Sequence, residues 1–198
     1  NDHTVGTDYA NFLYKVGRTD DARTLIYNQL LDPDFNNEDM LRVLCNLWKE
    51  YDPNPLTDAQ LGELAQKASV EARVAIGRVY LDRAHPEVTV RLVQSVSDGR
   101  WPEARAIYAR ALDAMGRAEG RTMAEQILVR DQTSGDALMV RYRHAMARND
   151  YASAINNAQI VIHEYPDRDD GFIALAKAYE AKGDQAGMAR TFADAMRT

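Results

Sequence analysis

The residue types that most often carry chemistry are thinly spread over these 198 residues. The four histidines, His3, His85, His144 and His163, lie far apart, and none has a second histidine at i+4 or a glutamate placed as in a zinc-binding helix. Each is expected at the surface or in packing. The single cysteine, Cys45, excludes an internal disulfide framework and a cysteine-based zinc site. Set among Leu44, Leu47 and Trp48, it reads as a buried structural thiol. There is no Gly-x-Ser-x-Gly elbow, no Gly-x-x-x-x-Gly-Lys phosphate loop and no Gly-x-Gly-x-x-Gly turn. Two acidic clusters remain: Asp167 with Asp169 and Asp170, and Asp32 with Asp34 around Pro33. Neither has the loop of an EF-hand, with its central glycine and closing glutamate, and both read as turn and helix-capping residues. The expectation is a chain without catalytic residues, cofactor or metal.

Composition points the same way. Hydrophobic residues make up 45% and charged residues 27%, an ordinary balance for a folded globular chain. Against 30 Asp plus Glu stand 24 Lys plus Arg, giving a formal net charge of -6 and a pI near 5.2, which disfavours broad nucleic-acid binding. No apolar run, Ile160 to Ile162 among them, approaches the roughly 18 to 20 residues that span a bilayer, so no membrane insertion is expected of this segment. A soluble chain, cytoplasmic or periplasmic, is expected. It starts at Asn1 with no charged, apolar signal region, as a mature or trimmed part of a longer chain would.

The elements that must position any working residue are helices. Apolar residues recur at three and four spacings in FLYKV, MLRVLCNLW, ARVAIGRVYL, ARAIYARAL, AINNAQIVI and FIALAKAYEA, and each segment closes on Gly, Asn-Asp or Pro. Strand signals are weak. The helices also repeat. The turn at Asn149-Asp150 recurs at Gly183-Asp184, a shift of 34 residues (183 − 149 = 34), and the same shift carries Leu138 onto Phe172, Tyr142 onto Ala176, Ala145 onto Tyr179 and Ala158 onto Phe192. One step back lie Ala104, Tyr108, Ala111, Ala124 and Ile127, with Gly116 in the turn.

These units resemble the tetratricopeptide repeat, in its bacterial form. Phe172, Leu175, Ala176, Tyr179, Gly183, Asp184, Phe192 and Ala195 match its pattern, as do Tyr151, Ala154, Ala158 and Pro166 in the preceding unit. The resemblance implies an all-α, right-handed superhelical α-solenoid of about six antiparallel helix pairs forming one body over residues 1–198. The units fall at about 3–36, 37–69 (degenerate), 70–100, 101–134, 135–168 and 169–198. In the degenerate unit a helix through Trp48 and Tyr51 breaks before Thr57 or Asp58, either of which would cap the next helix. Small residues such as Ala10, Gly77, Ala145 and Ala176 should permit close helix approach, and Tyr80, Tyr108, Tyr142, Tyr179 and Phe192 should fill the gaps. Gly120 and Met188 stand where alanine is usual and suggest looser local packing.

The family's usual role implies a non-catalytic protein–protein interaction scaffold that holds a peptide or protein partner in its concave groove. An alternative is a helical assembly or accessory segment of a bacterial envelope, secretion or exopolysaccharide machine. The groove would be lined by outward positions of the first helices: Asn11, Tyr14, Lys15, Arg78, Arg105, Met139, Arg143, Met146, Ile173, Lys177 and Glu180. Arg78, Arg143 and Lys177 would form a basic stripe suited to an acidic partner. The lysine-asparagine clamp by which some members hold a terminal carboxylate is not expected, because Thr7 and Asn11 occupy its first two places. Self-association through a C-terminal edge carrying Phe192 and Met196 is a further expectation.

Overall fold

The computed structural model describes residues 3–32 and 56–197, and every regular element among them is helical. Helix α1 covers His3–Lys15, α2 Thr19–Leu31, α3 Asp58–Lys67, α4 Val70–Asp82 and α5 Pro86–Val93, which runs into a 3-10 turn at Gln94–Val96. There follow α6 at Pro102–Ala114, α7 at Ala118–Arg130, α8 at Gly135–Ala147, α9 at Tyr151–Glu164, α10 at Asp169–Lys182 and α11 at Gln185–Ala195. The expected helix through Trp48 and Tyr51, the burial of Cys45 and the role of Pro33 lie outside the described residues. The chain divides into two compact units, residues 1–105 and 106–198, with the boundary inside α6.

Five turns use one backbone device. The amide of the residue just before the next helix donates five residues back: Arg18 to Leu13 O at 2.8 Å, His85 to Tyr80 O at 2.9 Å, Arg117 to Leu112 O at 3.0 Å, and Asp150 to Ala145 O and Asp184 to Tyr179 O, both at 2.9 Å. This is the Schellman closure, which satisfies carbonyls that a helix end would otherwise strand and requires a left-handed residue between. Gly17, Gly116 and Gly183 supply it at φ 79°, 77° and 79°, Asn149 at 58° and Ala84 at 62°. Glycine and asparagine tolerate that conformation; alanine carries a Cβ that opposes it. A connection this tight between helices that pack on one another makes each pair an antiparallel hairpin.

The next helix starts differently from turn to turn. Asp150 and Asp184 cap α9 and α11, accepting from the amides of Ser153 at 3.1 Å and Gly187 at 2.8 Å. His85 makes no side-chain cap, and Pro86 at the first turn of α5 substitutes a ring already set for helix. Of the two expected caps for α3, Thr57 is the one used: its Oγ1 accepts from Gln60 N at 3.3 Å while Gln60 Oε1 accepts from Thr57 N at 2.9 Å, a reciprocal capping box.

Within residues 1–105, Ala10, Leu13, Ala22, Ile26 and Leu30 form the buried faces of α1 and α2, and Leu64, Ile76, Val79, Leu92 and Val93 those of α3 to α5. Tyr27 on α2 donates to Glu63 on α3; burial first, then this bond, pushes the phenol up to about 12, while Lys67 and Tyr27 hold Glu63 below its ordinary range. Thr89 Oγ1 donates to Gly77 O at 2.8 Å in the buried contact between α4 and α5. Arg73 is buried against neutral groups: its Nε donates to Ala68 O at 2.9 Å, its Nη1 to Ser95 Oγ at 3.2 Å and its Nη2 to Gln66 O at 3.2 Å, closing the end of α3. Burial lowers this guanidinium below its ordinary value.

Within residues 106–198 the hairpins follow the repeat. Helices α8 and α10 begin 34 residues apart (169 − 135 = 34), as do α9 and α11 (185 − 151 = 34). Ala109, Ala124, Leu128, Ala137, Leu138, Val140 and Val161 make one core cluster, and Ala145, Ala154 and Ala178 another. Gly120 corrects the expectation of looseness. A Cβ there would lie 2.3 Å from Asp113 N and 2.5 Å from Ala109 O, so the glycine is where α7 presses on the α6 backbone. Phe192 departs from the expectation that it fills an interhelix gap: it is 54% exposed, and Met196, expected with it at an exposed edge, is 88% exposed.

Four charges, Asp136 buried and the other three largely so, tie this unit together. Arg110 Nη1 reaches Asp136 Oδ1 at 2.9 Å and Asp170 Oδ2 at 2.7 Å; Arg168 Nη2 reaches the same two carboxylates at 2.9 and 2.8 Å. Asp136 is 2% exposed. The two aspartates hold equivalent repeat places (170 − 136 = 34), at the starts of α8 and α10. Burial alone would depress Arg168 and raise Asp170, but the opposite charges win: Asp136 and Asp170 hold Arg168 above its ordinary value, and Arg110 and Arg168 hold Asp170 well below the usual carboxylate range. Asp170 is therefore not the simple capping residue expected of its acidic cluster. Arg168 also lies over the Tyr165 ring, 5.4 Å from its centroid.

Candidate binding surface

The first-helix positions sort into three kinds. Ile173, Lys177 and Glu180 are exposed along one face of α10, with Ile173 at 52%. Their counterparts one repeat earlier on α8 are Met139, Arg143 and Met146 (173 − 139, 177 − 143 and 180 − 146 are each 34). Met139 and Met146 are half-buried, packed against the Ala158–Ala174–Leu175 and Ala145–Ala154–Ala178 clusters respectively. Arg143 is exposed but engaged: Nη1 reaches Asp113 Oδ2 at 2.8 Å and also donates to the Asp113 carbonyl. As a stripe of cations available to a partner, the expected set is therefore reduced at Arg143.

In residues 1–105, Lys15 is exposed in the last turn of α1, and Arg78 on α4 and Arg105 on α6 are half-buried. Asn11 is half-buried, with no hydrogen-bond partner for its Oδ1 among the described residues. Tyr14 corrects its assignment. It is 7% exposed, one residue after fully buried Leu13 on the face that α1 turns to α2, and belongs to the core.

Two adjoining clefts, of about 840 and 470 Å³, open along α7 and share Arg121, Glu125 and His144. The larger also takes in Asp113, Arg117 and Arg143; the smaller takes in Arg141, Arg148, Ser153 and Asn156. Helix geometry explains the shared wall: Arg117, Arg121, Glu125 and Val129 follow at steps of four and so face one way. Buried Asp113 is the anchor of the larger cleft, with His144 Nε2 2.7 Å from its Oδ1 and Arg143 on its Oδ2. Glu125 is clasped by Arg141, through Nη2 at 2.6 Å and Nε at 3.0 Å, and these hydrogen bonds hold the carboxyl below and the guanidinium above their ordinary values. The sequence does not mark Asp113, and His144 reads there as surface or packing, because the two meet only between α6 and α8; the step of four from Arg117 to Arg121 beside α7 is the signal available.

No group of three or more His, Cys, Asp or Glu among the described residues could hold a metal, and no described helix is long and apolar enough to cross a membrane. No family model matches the chain, and no curated protein matches it. Among solved structures, a mutant form of MamA is similar at 18% identity, covering 98% of this chain and 96% of that one, with a TM-score of 0.31.

Proposed function

We propose that this chain is a non-catalytic protein–protein interaction scaffold of tetratricopeptide type, a right-handed α-solenoid that holds a peptide or protein partner along its first helices. The observation that carries the reading is the row on α10. Ile173, Lys177 and Glu180 sit at i, i+4 and i+7, all exposed, on a helix whose other side is buried through Phe172, Ala174, Leu175, Ala176 and Ala178. A β-branched apolar residue flanked by a cation and an anion on a rigid helix is the composition of a recognition face: an apolar contact for energy, charges for register.

Its partner is a protein segment offering an apolar side chain for Ile173 and a carboxylate for Lys177. Panning a displayed random-peptide library on the immobilised protein should recover such peptides. The double substitution Ile173→Asp, Lys177→Glu should weaken them by at least about tenfold, or about 1.4 kcal/mol, with the unfolding midpoint unchanged. Undiminished binding by that variant would overturn the reading.

A further inference from the structure

We propose that the paired cleft along α7 binds an acidic, extended peptide segment, through arginines that are not part of the α10 row and independently of whether that row binds anything.

The charge balance of the cleft carries this. Five arginines line it, Arg117, Arg121, Arg141, Arg143 and Arg148, against two carboxylates, Asp113 and Glu125. Both carboxylates are already engaged: Asp113 by Arg143 and His144, Glu125 by Arg141. That leaves Arg117, Arg121 and Arg148, all exposed and in no direct ion pair among the described residues, with Arg121 near enough to Glu125 and Arg148 to Asp150 to help hold those carboxyls below their ordinary values. Three open guanidiniums therefore face one cleft of a chain whose net charge is -6. A guanidinium is built to take a carboxylate through two parallel hydrogen bonds. Glu125 and Arg141 already show that pairing in the cleft wall, Nε on Oε1 at 3.1 Å and Nη2 on Oε2 at 2.6 Å.

The dimensions suit a peptide. From Arg117 to Val129 is twelve residues of helix, roughly 18 Å at about 1.5 Å per residue, which an extended chain covers in about five or six residues. Exposed Ser153 and Asn156 in the smaller cleft can donate to and accept from a peptide backbone. A nucleic acid fits less well. No Phe, Tyr or Trp lines either cleft to stack a base, and the one imidazole there, His144, is held against Asp113.

The test is fluorescence anisotropy with a labelled octaglutamate peptide, octathymidylate as the competing class of ligand, and three variants of the chain. The unaltered protein should bind octaglutamate, more tightly at low than at high salt. The triple reversal R117E/R121E/R148E should weaken that binding at least about tenfold, and R117Q/R121Q/R148Q, which adds no repulsion within α7, by about half that factor or more. The control K67E/K182E/R190E reverses as many exposed cations elsewhere and should stay within about twofold. Circular dichroism melts should match between the parent and R117Q/R121Q/R148Q, and fall by no more than a few degrees in the two reversals, which set like charges beside Glu125 or give up the Lys67–Glu63 pair. Absence of octaglutamate binding, equal losses in the reversal and the control, or octathymidylate binding as tightly as octaglutamate would each overturn the proposal. None of these readouts involves Ile173, so failure here and failure of the α10 row are told apart.

Discussion

Arg73 in residues 1–105 and Arg168 in residues 106–198 are both buried arginines, and the protein treats them oppositely. Arg73 meets carbonyls and Ser95 Oγ, and burial lowers its pKa. Arg168 meets two carboxylates, and their charge raises its pKa in spite of burial. One closes a helix end; the other, with Arg110, holds the starts of two successive first helices in register. Neutral carbonyls can be matched by several donors, whereas two buried aspartates demand cations at fixed places, so the second arrangement is the more specific and the more fragile.

The sharpest way to break that comparison is Asp136→Ala. It strands Arg110 and Arg168 against a single carboxylate and should cost about 3–5 kcal/mol in urea unfolding of the second unit. Acid offers an independent arm. The folded-state pKa of Asp170 lies below its unfolded value, so its contribution is full above about pH 4 and is lost as pH falls through the folded value. Melting temperature measured downward from pH 5 should fall more gently in Asp170→Asn than in the parent, since the carboxyl that takes up the proton is gone; parallel curves would refute the assignment.

Arg73→Met removes three hydrogen bonds but leaves no charge behind, and should cost about 1–3 kcal/mol by the same measurement. A loss equal to that of Asp136→Ala would erase the distinction between the two arginines. The smallest effect has the opposite sign. Ala84→Gly relieves a left-handed alanine and should stabilise by about 1 kcal/mol, whereas the turns at Gly17, Gly116 and Gly183 are already relaxed. No gain in the melting temperature would mean that the lost chain entropy offsets the relief.

What could be read from the residues was local. Gly17, Gly116, Asn149 and Gly183 announce their turns because glycine and asparagine favour the left-handed conformation, while Ala84 makes the same turn unannounced. Asp136 and Asp170 show their shared spacing in the sequence, but Asp170 meets Arg110 across 60 residues, and no local pattern says that it leaves its own turn. Gly120 looks like a weak point in a helix until the Ala109 carbonyl and Asp113 amide of the neighbouring helix are seen against it. The cleft was illegible for the same reason: Asp113 and His144 are 31 residues apart and unremarkable until two successive hairpins meet and bring them to 2.7 Å.

The spacing of Asp136 and Asp170 has a consequence for how such a chain could change length. Excising residues 135–168 would bring Asp170 to the place of Asp136, where Arg110 waits, and would take Arg168 away in the same cut. One cation and one anion leave, and one of each remains. A cut of any other size would shift the surviving aspartate off its partner. Ancestral gain or loss of material in steps of one hairpin is thus electrically silent in the interior, while slippage by a few residues is penalised at once.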